Sequence, residues 1–243
     1  MSSQLTDRVV VVTGGTRGIG FATARALAEA GATVVLTGRD EDTAKQRAAE
    51  IGAHGLALDV SDSAAVRAVF KSVTKEHGRI DGLVASAGVM EGALIGMIGD
   101  DHVERLLTTN VAGTVASVQA AARAMMRKKT GSIVLLASIV GEHGNAGQTV
   151  YAATKAAVAS IARSTSKELG RYGIRVNAVA PGVIRTDLTA SQSEETLARV
   201  VEDTSLGRLG EPAEVASVIR FLLGDDAAFV TGQVLGVDGG LVL

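Results

Sequence analysis

The chain of 243 residues contains no cysteine and no tryptophan, and only two prolines. Without thiols it can form neither disulfide bonds nor thiolate metal sites. Two tyrosines and four phenylalanines leave little aromatic surface for stacking on nucleic-acid bases. The formal charge of −2 adds no basic footprint. Nucleic acid is therefore not an expected partner.

Long apolar runs are also missing. The first eight residues are polar, unlike a signal peptide, and no apolar run approaches the roughly 20 residues that a membrane span needs. We therefore expect a cytoplasmic protein without membrane contact. The chain is nevertheless 47% hydrophobic, which is enough to bury a large core.

The sequence lacks a recognisable pair of metal ligands. Its four histidines are scattered, and no two have the i,i+4 spacing of a helical ligand pair. They are His54, His77, His102 and His143. We therefore expect no metal in the active site.

Short apolar segments alternate with helix-like stretches along the whole chain. Strands are predicted at 9–12, 33–38, 56–59, 83–87, 133–137, 174–179 and 234–237. Helices are predicted at 21–30, 40–51, 64–77, 103–127, 151–169 and 194–201, with Ser61 as the cap of the third. This alternation indicates an α/β fold with a parallel sheet covered on both faces.

No linker or internal repeat divides the chain, so we expect one domain over residues 1–243. The one polar insertion, at about 188–209, is the expected substrate loop. A parallel α/β sheet binds ligands at the carboxyl ends of its strands. The residues that follow the predicted strands are therefore the candidates for a functional site.

A glycine-rich segment, Thr13–Gly20, separates the first strand from the first helix. Glycines at such a turn let the backbone approach a pyrophosphate, whose charge is met by the helix N-terminus. The spacing is G-x-x-x-G-x-G rather than the common G-x-G-x-x-G. This position between a strand and a helix predicts a dinucleotide site.

The end of the second strand indicates which dinucleotide is bound. A carboxylate there would bond the ribose hydroxyls and repel a 2′-phosphate, but none occurs before Asp40. Arg39 and Arg17 can instead hold phosphate oxygens, although both could also be ordinary surface charges. We predict NADPH rather than NADH.

Tyr151 and Lys155 are four residues apart and share one face of a predicted helix. An ammonium beside the phenol is expected to lower the tyrosine's pKa and improve it as an acid and base. Ser138 follows a strand and could hold a substrate carbonyl or merely cap a turn. Asn110 interrupts an apolar helix and could bridge a water to Lys155 or hydrogen-bond in the core.

Together these residues resemble the short-chain dehydrogenase/reductase family over essentially the whole chain. The matching landmarks, in order, are Thr13–Gly20, Asp59-Val60, Ala87-Gly88, Asn110, Ser138, Tyr151, Lys155, Asn177, Pro181-Gly182 and Thr186. Within the family the chain is most similar to 3-oxoacyl-[acyl-carrier-protein] reductases. That closer likeness rests on residues 124–131, 175–182 and 207–212.

The resemblance implies a Rossmann-type, doubly wound parallel sheet of about seven strands, and usually a homotetramer built on the long helices and the last strand. It implies that Tyr151 donates the proton and that Ser138 positions the carbonyl. Lys155 would hold the nicotinamide ribose and tune Tyr151, while Asn110 would support a proton relay.

The resemblance also implies a set of cofactor contacts. Asp59 would meet the adenine amino group beside Val60, and Ile184 and Thr186 would hold the carboxamide. The full expected set for NADPH/NADP+ is Gly14, Thr16, Arg17, Gly18, Ile19, Gly20, Arg39, Asp59, Val60, Ala87, Gly88, Tyr151, Lys155, Pro181, Gly182, Ile184 and Thr186.

One segment departs from the family pattern. Ala85-Ser86-Ala87-Gly88 stands where the family usually has Asn-Asn-Ala-Gly. The missing asparagine side chains are expected to loosen the adenosine side of the site. Ser86 could recover part of their hydrogen bonding.

The expected reaction is reduction of a 3-oxoacyl thioester to the 3-hydroxyacyl product, as in fatty acid biosynthesis. The alternative is a carbonyl reductase acting on a polyketide, steroid, sugar or other small ketone. A carrier-protein partner would need a basic dock, for which Arg127, Lys128, Lys129 and Arg171 are candidates, although such residues are commonly only solvated. A non-catalytic NADP-binding regulator would have no need of all four catalytic candidates.

Overall fold

The computed structural model of the chain describes residues 5–187, 189 and 193–242. The first four residues of the polar N-terminal segment lie outside the described residues. So do positions 188 and 190–192 of the expected substrate loop.

Seven strands form one parallel sheet in the spatial order β3-β2-β1-β4-β5-β6-β7. The strands are β1 (Val9–Thr13), β2 (Thr33–Gly38), β3 (His54–Ala57), β4 (Gly82–Ala85), β5 (Gly131–Leu136), β6 (Ile174–Pro181) and β7 (Val234–Val237). The order reverses between β1 and β4, which creates the crevice where doubly wound sheets bind ligands. The predicted Rossmann-type fold is confirmed.

Helices cover both faces of the sheet. They are α1 (Gly18–Glu29), α2 (Glu41–Ala49), α3 (Ser63–His77), α4 (Asp100–Leu106), α5 (Gly113–Lys128), α6 (Val140–His143), α7 (Thr149–Leu169), α8 (Glu194–Glu202) and α9 (Pro212–Leu223). In the part of the chain that the structure describes, none of them combines the length and apolar character that a bilayer crossing requires.

The valine run of β1 explains why two layers of helices are needed. Val9 and Val11 point into a core formed with α3, α5 and α7. Val10 and Val12 point into a second core formed with α1, α2 and α9. Because successive side chains of a strand face opposite sides, a continuous apolar run must be buried on both faces.

Two local predictions were wrong in detail. Ser61 does not cap α3; the Asp62 side chain accepts hydrogen bonds from the Ala64 and Ala65 backbone N–H groups at 2.8 and 3.1 Å. Ser61 instead donates to Asp59 through its hydroxyl and its N–H. β3 also begins and ends two residues earlier than predicted, which leaves Asp59 beyond the strand end.

The long helix predicted at 103–127 contains a wider turn. A π-helical segment, Leu107–Ala112, joins α4 to α5 and contains the buried Asn110. Such π turns are frequent at functional sites because they redirect a side chain within a helix. Sequence periodicity did not predict this turn.

Candidate active site

A cavity of about 310 Å³ lies at the carboxyl ends of the strands, beside the β1–α1 turn. Twelve of the predicted cofactor residues line it, namely Gly14, Thr16, Arg17, Gly18, Ile19, Gly20, Arg39, Asp59, Val60, Ala87, Gly88 and Thr186. These residues come from loops that are far apart in the sequence. The parallel sheet brings them to one edge.

The β1–α1 turn needs its glycines for steric reasons. Gly14 has a φ of 67°, and a Cβ added there would lie 2.7 Å from the Ala87 Cα. A Cβ on Gly20 would lie 2.2 Å from the Gly14 carbonyl oxygen. Side chains at either position would fill the cradle or displace the backbone around it. The turn therefore fits the close approach of a pyrophosphate.

Two arginines and one aspartate lie at or near the end of β2. Asp40 is engaged as the cap of α2, where its side chain accepts from the Thr43 N–H at 2.8 Å. Arg39 and Arg17 are exposed and line the cavity. Asp40 does not line the cavity, whereas both arginines do.

Asp59 is an exposed, ionised residue in the lining of this cavity. Its pKa is lowered chiefly by the hydrogen bonds from Ser61, and the Arg39 guanidinium adds a smaller effect in the same direction. A carboxylate that accepts hydrogen bonds favours its charged form. Asp59 is thus available as a hydrogen-bond acceptor.

A smaller cavity of about 130 Å³ adjoins the first and shares Ile19, Gly88 and Thr186 with it. The other predicted residues that line it are Ser138, Tyr151, Lys155, Pro181, Gly182 and Ile184. Three of the four catalytic candidates therefore meet in one place, next to the larger cavity.

Lys155 is held by the end of β5. Its Nζ donates to the Leu136 carbonyl oxygen at 2.7 Å and lies 5.6 Å from the centre of the Tyr151 ring. The side chain is buried, and burial lowers the pKa of Lys155 to about 8. Charging an amine away from water is costly, which explains the direction of the shift.

The expected effect on Tyr151 was wrong for the structure as it stands. Burial raises the pKa of the Tyr151 phenol, and the hydrogen bond with Ser138 only partly opposes this. Lys155 contributes no lowering, because with a pKa of about 8 its amine is already neutral at the pH where the phenol ionises. The two residues do share one face of α7, as their spacing predicted.

Ser138 caps a turn, which is one of the two roles considered for it, while its contact with a substrate carbonyl remains a prediction. Its Oγ accepts from the Val140 N–H at 3.3 Å, which caps the turn after β5. It also lines the smaller cavity together with Tyr151, with which it hydrogen-bonds. The turn therefore orients the hydroxyl toward the cavity.

Asn110 does not line either cavity, but it braces the loop that does. Its side chain exchanges two hydrogen bonds with the backbone of Val89, at 2.8 and 2.9 Å, and donates to the Thr154 hydroxyl at 3.1 Å. A Cβ on Gly88 would lie 3.2 Å from the Asn110 Oδ1 and 3.6 Å from the Lys155 Nζ. Asn110 thus lies close to Lys155.

Sequence reasoning missed two supporting residues. Thr154 links Asn110 to the Tyr151 carbonyl oxygen, to which its hydroxyl donates at 2.7 Å. Arg47 stacks over the Phe21 ring at 3.7 Å and donates to the Thr16 carbonyl oxygen at 3.2 Å. Neither had a local signal, because each acts on a residue of another element.

Ser86 lies where the family's second asparagine would stand. It lines both cavities, and its Oγ lies 2.6 Å from the position that a Cβ on Gly20 would occupy. Its backbone N–H donates to the Thr13 carbonyl oxygen at 3.2 Å. The end of β4 is therefore connected to β1 through the backbone.

Comparison with known proteins agrees with this geometry. A family model described as Enoyl-(Acyl carrier protein) reductase matches residues 14–242. A 3-oxoacyl-[acyl-carrier-protein] reductase of Vibrio harveyi is 39% identical over 241 residues, which cover 98% of this chain and 99% of that protein. The chain belongs to the short-chain dehydrogenase/reductase family.

Further similarities support this membership in a short-chain dehydrogenase/reductase family. Carbonyl reductase family member 4 of Xenopus tropicalis is 42% identical over 237 residues, covering 97% of this chain and 98% of that protein. The structure of a short-chain type dehydrogenase/reductase from Mycobacterium ulcerans superposes with a TM-score of 0.95 at 36% identity, covering 98% of this chain and 90% of that one.

As a short-chain dehydrogenase/reductase, the chain is an oxidoreductase that acts on carbonyl or hydroxyl groups. Members of this family bind nicotinamide cofactors. The glycine cradle, the arginines at its rim and the adjoining cavity fit such a group.

The burial of Lys155 predicts a specific dependence of stability on pH in this dehydrogenase/reductase. Its pKa is about 8 when folded, against an ordinary value of 10.5. Between these values the unfolded chain binds a proton that the folded chain lacks, so stability rises with pH. The slope from this residue approaches about 1.4 kcal/mol per pH unit.

Urea unfolding of the cofactor-free protein at pH values from 7 to about 10 measures this contribution. The unfolding free energy of wild type minus that of Lys155→Met should increase with pH. Lys167→Met, on the exposed side of the same helix, is the matched control and should run parallel to wild type. A Lys155→Met curve parallel to wild type would contradict the predicted pKa.

Proposed function

We propose that this protein reduces a 3-oxoacyl thioester to the 3-hydroxyacyl product with NADPH, and that Tyr151 is the proton donor. The observation that carries the proposal is the meeting of Ser138, Tyr151 and Lys155 in a cavity that adjoins the glycine cradle. A carbonyl placed there would be within reach of both a hydroxyl pair and the bound cofactor.

The nicotinamide, when bound, supplies the hydride that reduces the carbonyl carbon. In our proposal the Ser138 hydroxyl positions the carbonyl oxygen, and the Tyr151 hydroxyl gives it a proton. Burial keeps the phenol protonated at neutral pH, which is the form required for reduction. Tyr151 is therefore ready to act as an acid.

Lys155 is suited to return the proton. Its pKa of about 8 lies below that of the Tyr151 phenol, whose ordinary value of 10.0 is raised by burial. The ammonium is thus the stronger acid, and proton transfer from it to a tyrosinate is favourable. We propose that Asn110 maintains this relay by holding the loop beside Gly88 in place.

The preference for NADPH is a further part of the proposal. Arg39 and Arg17 would grip the 2′-phosphate, while Asp40 is engaged as a helix cap. Asp59 and Val60 would bind the adenine, and Ile184 and Thr186 the carboxamide. The remaining cavity residues would contact the cofactor through their backbone.

The lining of the smaller cavity favours an aliphatic substrate. Tyr151 and Lys155 are the only ionisable side chains among its described lining residues, which also include Val89, Met90 and Ala137. The segment after Met90 exposes further apolar side chains, with Leu94, Ile95 and Met97 exposed by 63, 76 and 77%. An acyl chain fits this surface better than a sugar, which would need many hydrogen-bond partners.

A small ketone is the second candidate substrate. The relative with 42% identity is named a carbonyl reductase, and the reductases of acyl-carrier-protein substrates are 38 to 39% identical. The catalytic residues would act in the same way on either substrate. The test of the carrier protein below distinguishes the two.

We also propose that residues 1–243 work as one reductase domain within a homotetramer. Phe229 is fully exposed, and Phe221 and Val242 are exposed by 39 and 75%. Large exposed apolar side chains indicate a surface that another chain covers. Contacts between copies through this surface and the long helices would account for them.

Substitution of Tyr151 tests the catalytic role. Tyr151→Phe should reduce turnover about a hundredfold to ten-thousandfold, because it removes the general acid. Binding of NADPH, followed by its fluorescence, should remain. Tyr172→Phe changes the only other tyrosine, outside the lining of both cavities, and should leave turnover unchanged. Full turnover in Tyr151→Phe would exclude the mechanism.

Steady-state kinetics with the two cofactors test the role of Arg39. Wild type should have a higher kcat/KM with NADPH than with NADH. Arg39→Gln should lower the NADPH value about tenfold to a hundredfold, through loss of charge-assisted hydrogen bonds, and change the NADH value little. Arg25→Gln, an exposed arginine that stacks on Phe21, is the control. A wild-type preference for NADH would refute the proposal.

The candidate carrier dock lies at the amino-terminal ends of the strands. Ser138 lies at their carboxyl ends, because Lys129 precedes β5 and Ser138 follows it. Lys128 and Lys129 end α5, and Arg171 follows α7 close to Lys129. The 18 helical steps from Asn110 to Lys128 span about 27 Å. A substrate at Ser138 would therefore need a long link to a carrier bound at this patch.

Charge reversal tests whether the patch binds a carrier. Lys128→Glu/Lys129→Glu should weaken reduction of an acyl-carrier-protein substrate by raising its KM, while a small thioester analogue is reduced as by wild type. Arg25→Glu/Lys45→Glu, on the exposed sides of α1 and α2, is a control with the same change in net charge. Equal effects of the two double variants, or equal effects on both substrates, would rule out docking at this patch.

A further inference from the structure

Two of the histidines that looked scattered in the sequence meet in the structure. His54 is the first residue of β3 and His77 is the last residue of α3. Their ring centres are 5.0 Å apart, with an angle of 67° between the ring planes. Glu76 joins them, and one ligand atom from each of the three residues lies within 4.8 Å of the other two.

We infer that His54, Glu76 and His77 form a binding site for a divalent transition-metal ion such as Zn²⁺. Imidazole nitrogen and carboxylate oxygen are common ligands of this class of ion, and three protein ligands leave a position for water. This set differs from an acidic surface cluster because two of its three donors are imidazoles. It has no counterpart in the proposed reductase chemistry.

The three side chains are free to close around an ion. Bonds of about 2.0–2.2 Å to a tetrahedral ion place two ligand atoms about 3.4 Å apart. Small side-chain rotations bring atoms from within 4.8 Å to that separation. His54 and Glu76 are exposed and His77 is half-buried, and within the described ranges none of their side chains makes a hydrogen bond or ion pair. Only the edge-on contact between the two imidazole rings has to rearrange.

The local charges also favour a cation. His77 ends a 15-residue helix, and the partial negative charge of a helix C-terminus attracts cations. Two basic residues lie nearby in the sequence. Lys75 lines a groove between α3 and α5, and the Arg79 guanidinium is paired with Asp81 at 2.6 Å. Neither Lys75 nor Arg79 forms an ion pair with the three proposed ligands, and neither lines a cavity with them.

A bound ion would connect the two ends of one segment. β3 is an edge strand of four residues, and β2 is its only neighbour among the strands of the described residues. The segment from His54 to His77 includes Asp59 and Val60, which line the larger cavity. The ion would hold β3 against α3. It would lie at the amino-terminal end of β3, whereas the cavities lie at the carboxyl ends of the strands. The structure thus assigns the ion a stabilising role and none in catalysis.

Metal titration of the untagged, metal-free chain tests this inference. In a calorimetric titration, one Zn²⁺ ion should bind per chain. Addition of Co²⁺ should produce the visible absorption of an imidazole-bound ion. His54→Ala and His77→Ala should each weaken binding about tenfold or more, because each removes a direct ligand. His143→Ala removes an exposed imidazole outside the cluster and should bind as wild type.

Thermal unfolding gives a second readout. Zn²⁺ should raise the Tm of wild type and of His143→Ala, but not that of His54→Ala, because a ligand stabilises only the state that binds it. His54→Gln, of similar size, keeps the test valid if the alanine variant folds poorly. Absence of Zn²⁺ binding at millimolar concentration, or binding that both histidine variants retain, overturns the inference. Either outcome leaves the proposed reductase function untouched.

Discussion

The parallel direction of the seven strands is the constraint on which the rest of this structure depends. Because the carboxyl ends of all strands lie on one side of the sheet, the residues that follow β1, β2, β4, β5 and β6 lie close together there. The helices that return the chain must then cover both faces, which explains the continuous apolar strands. The amino-terminal ends of the strands, where His54 and Lys129 lie, are remote from the cavities for the same reason.

Burial acts on the two ionisable residues of the smaller cavity in opposite directions. It raises the pKa of the phenol and lowers the pKa of the amine, because each group is disfavoured in its charged form. This brings the pKa of the ammonium below that of the phenol, which is the order that our proposed proton return from Lys155 to Tyr151 requires. The hydrogen bond to the Leu136 carbonyl holds the amine at the end of β5. The packing that buries the two side chains is therefore also the cause of both pKa shifts.

Much of the fold and site could be predicted from local patterns. The strands β2 and β7 have their predicted bounds, and the glycine turn lies between β1 and α1 as expected. The strand bounds and the glycine turn were predictable because short apolar segments and glycine spacing report on backbone conformation, which is largely a local property. The full set of cofactor residues came from the family resemblance; every one of them lines one of the two adjoining cavities, and their contacts remain predictions.

The sequence by itself determined the class of fold, the position of the glycine turn and the pairing of Tyr151 with Lys155 on one helical face. Only the tertiary structure decided that Lys155 bonds the Leu136 carbonyl, that Asn110 braces Val89 from within a π turn, and that His54 meets His77. Each of these contacts joins residues from different elements. Their distances depend on how helices pack on the sheet, and no spacing along the chain encodes that packing.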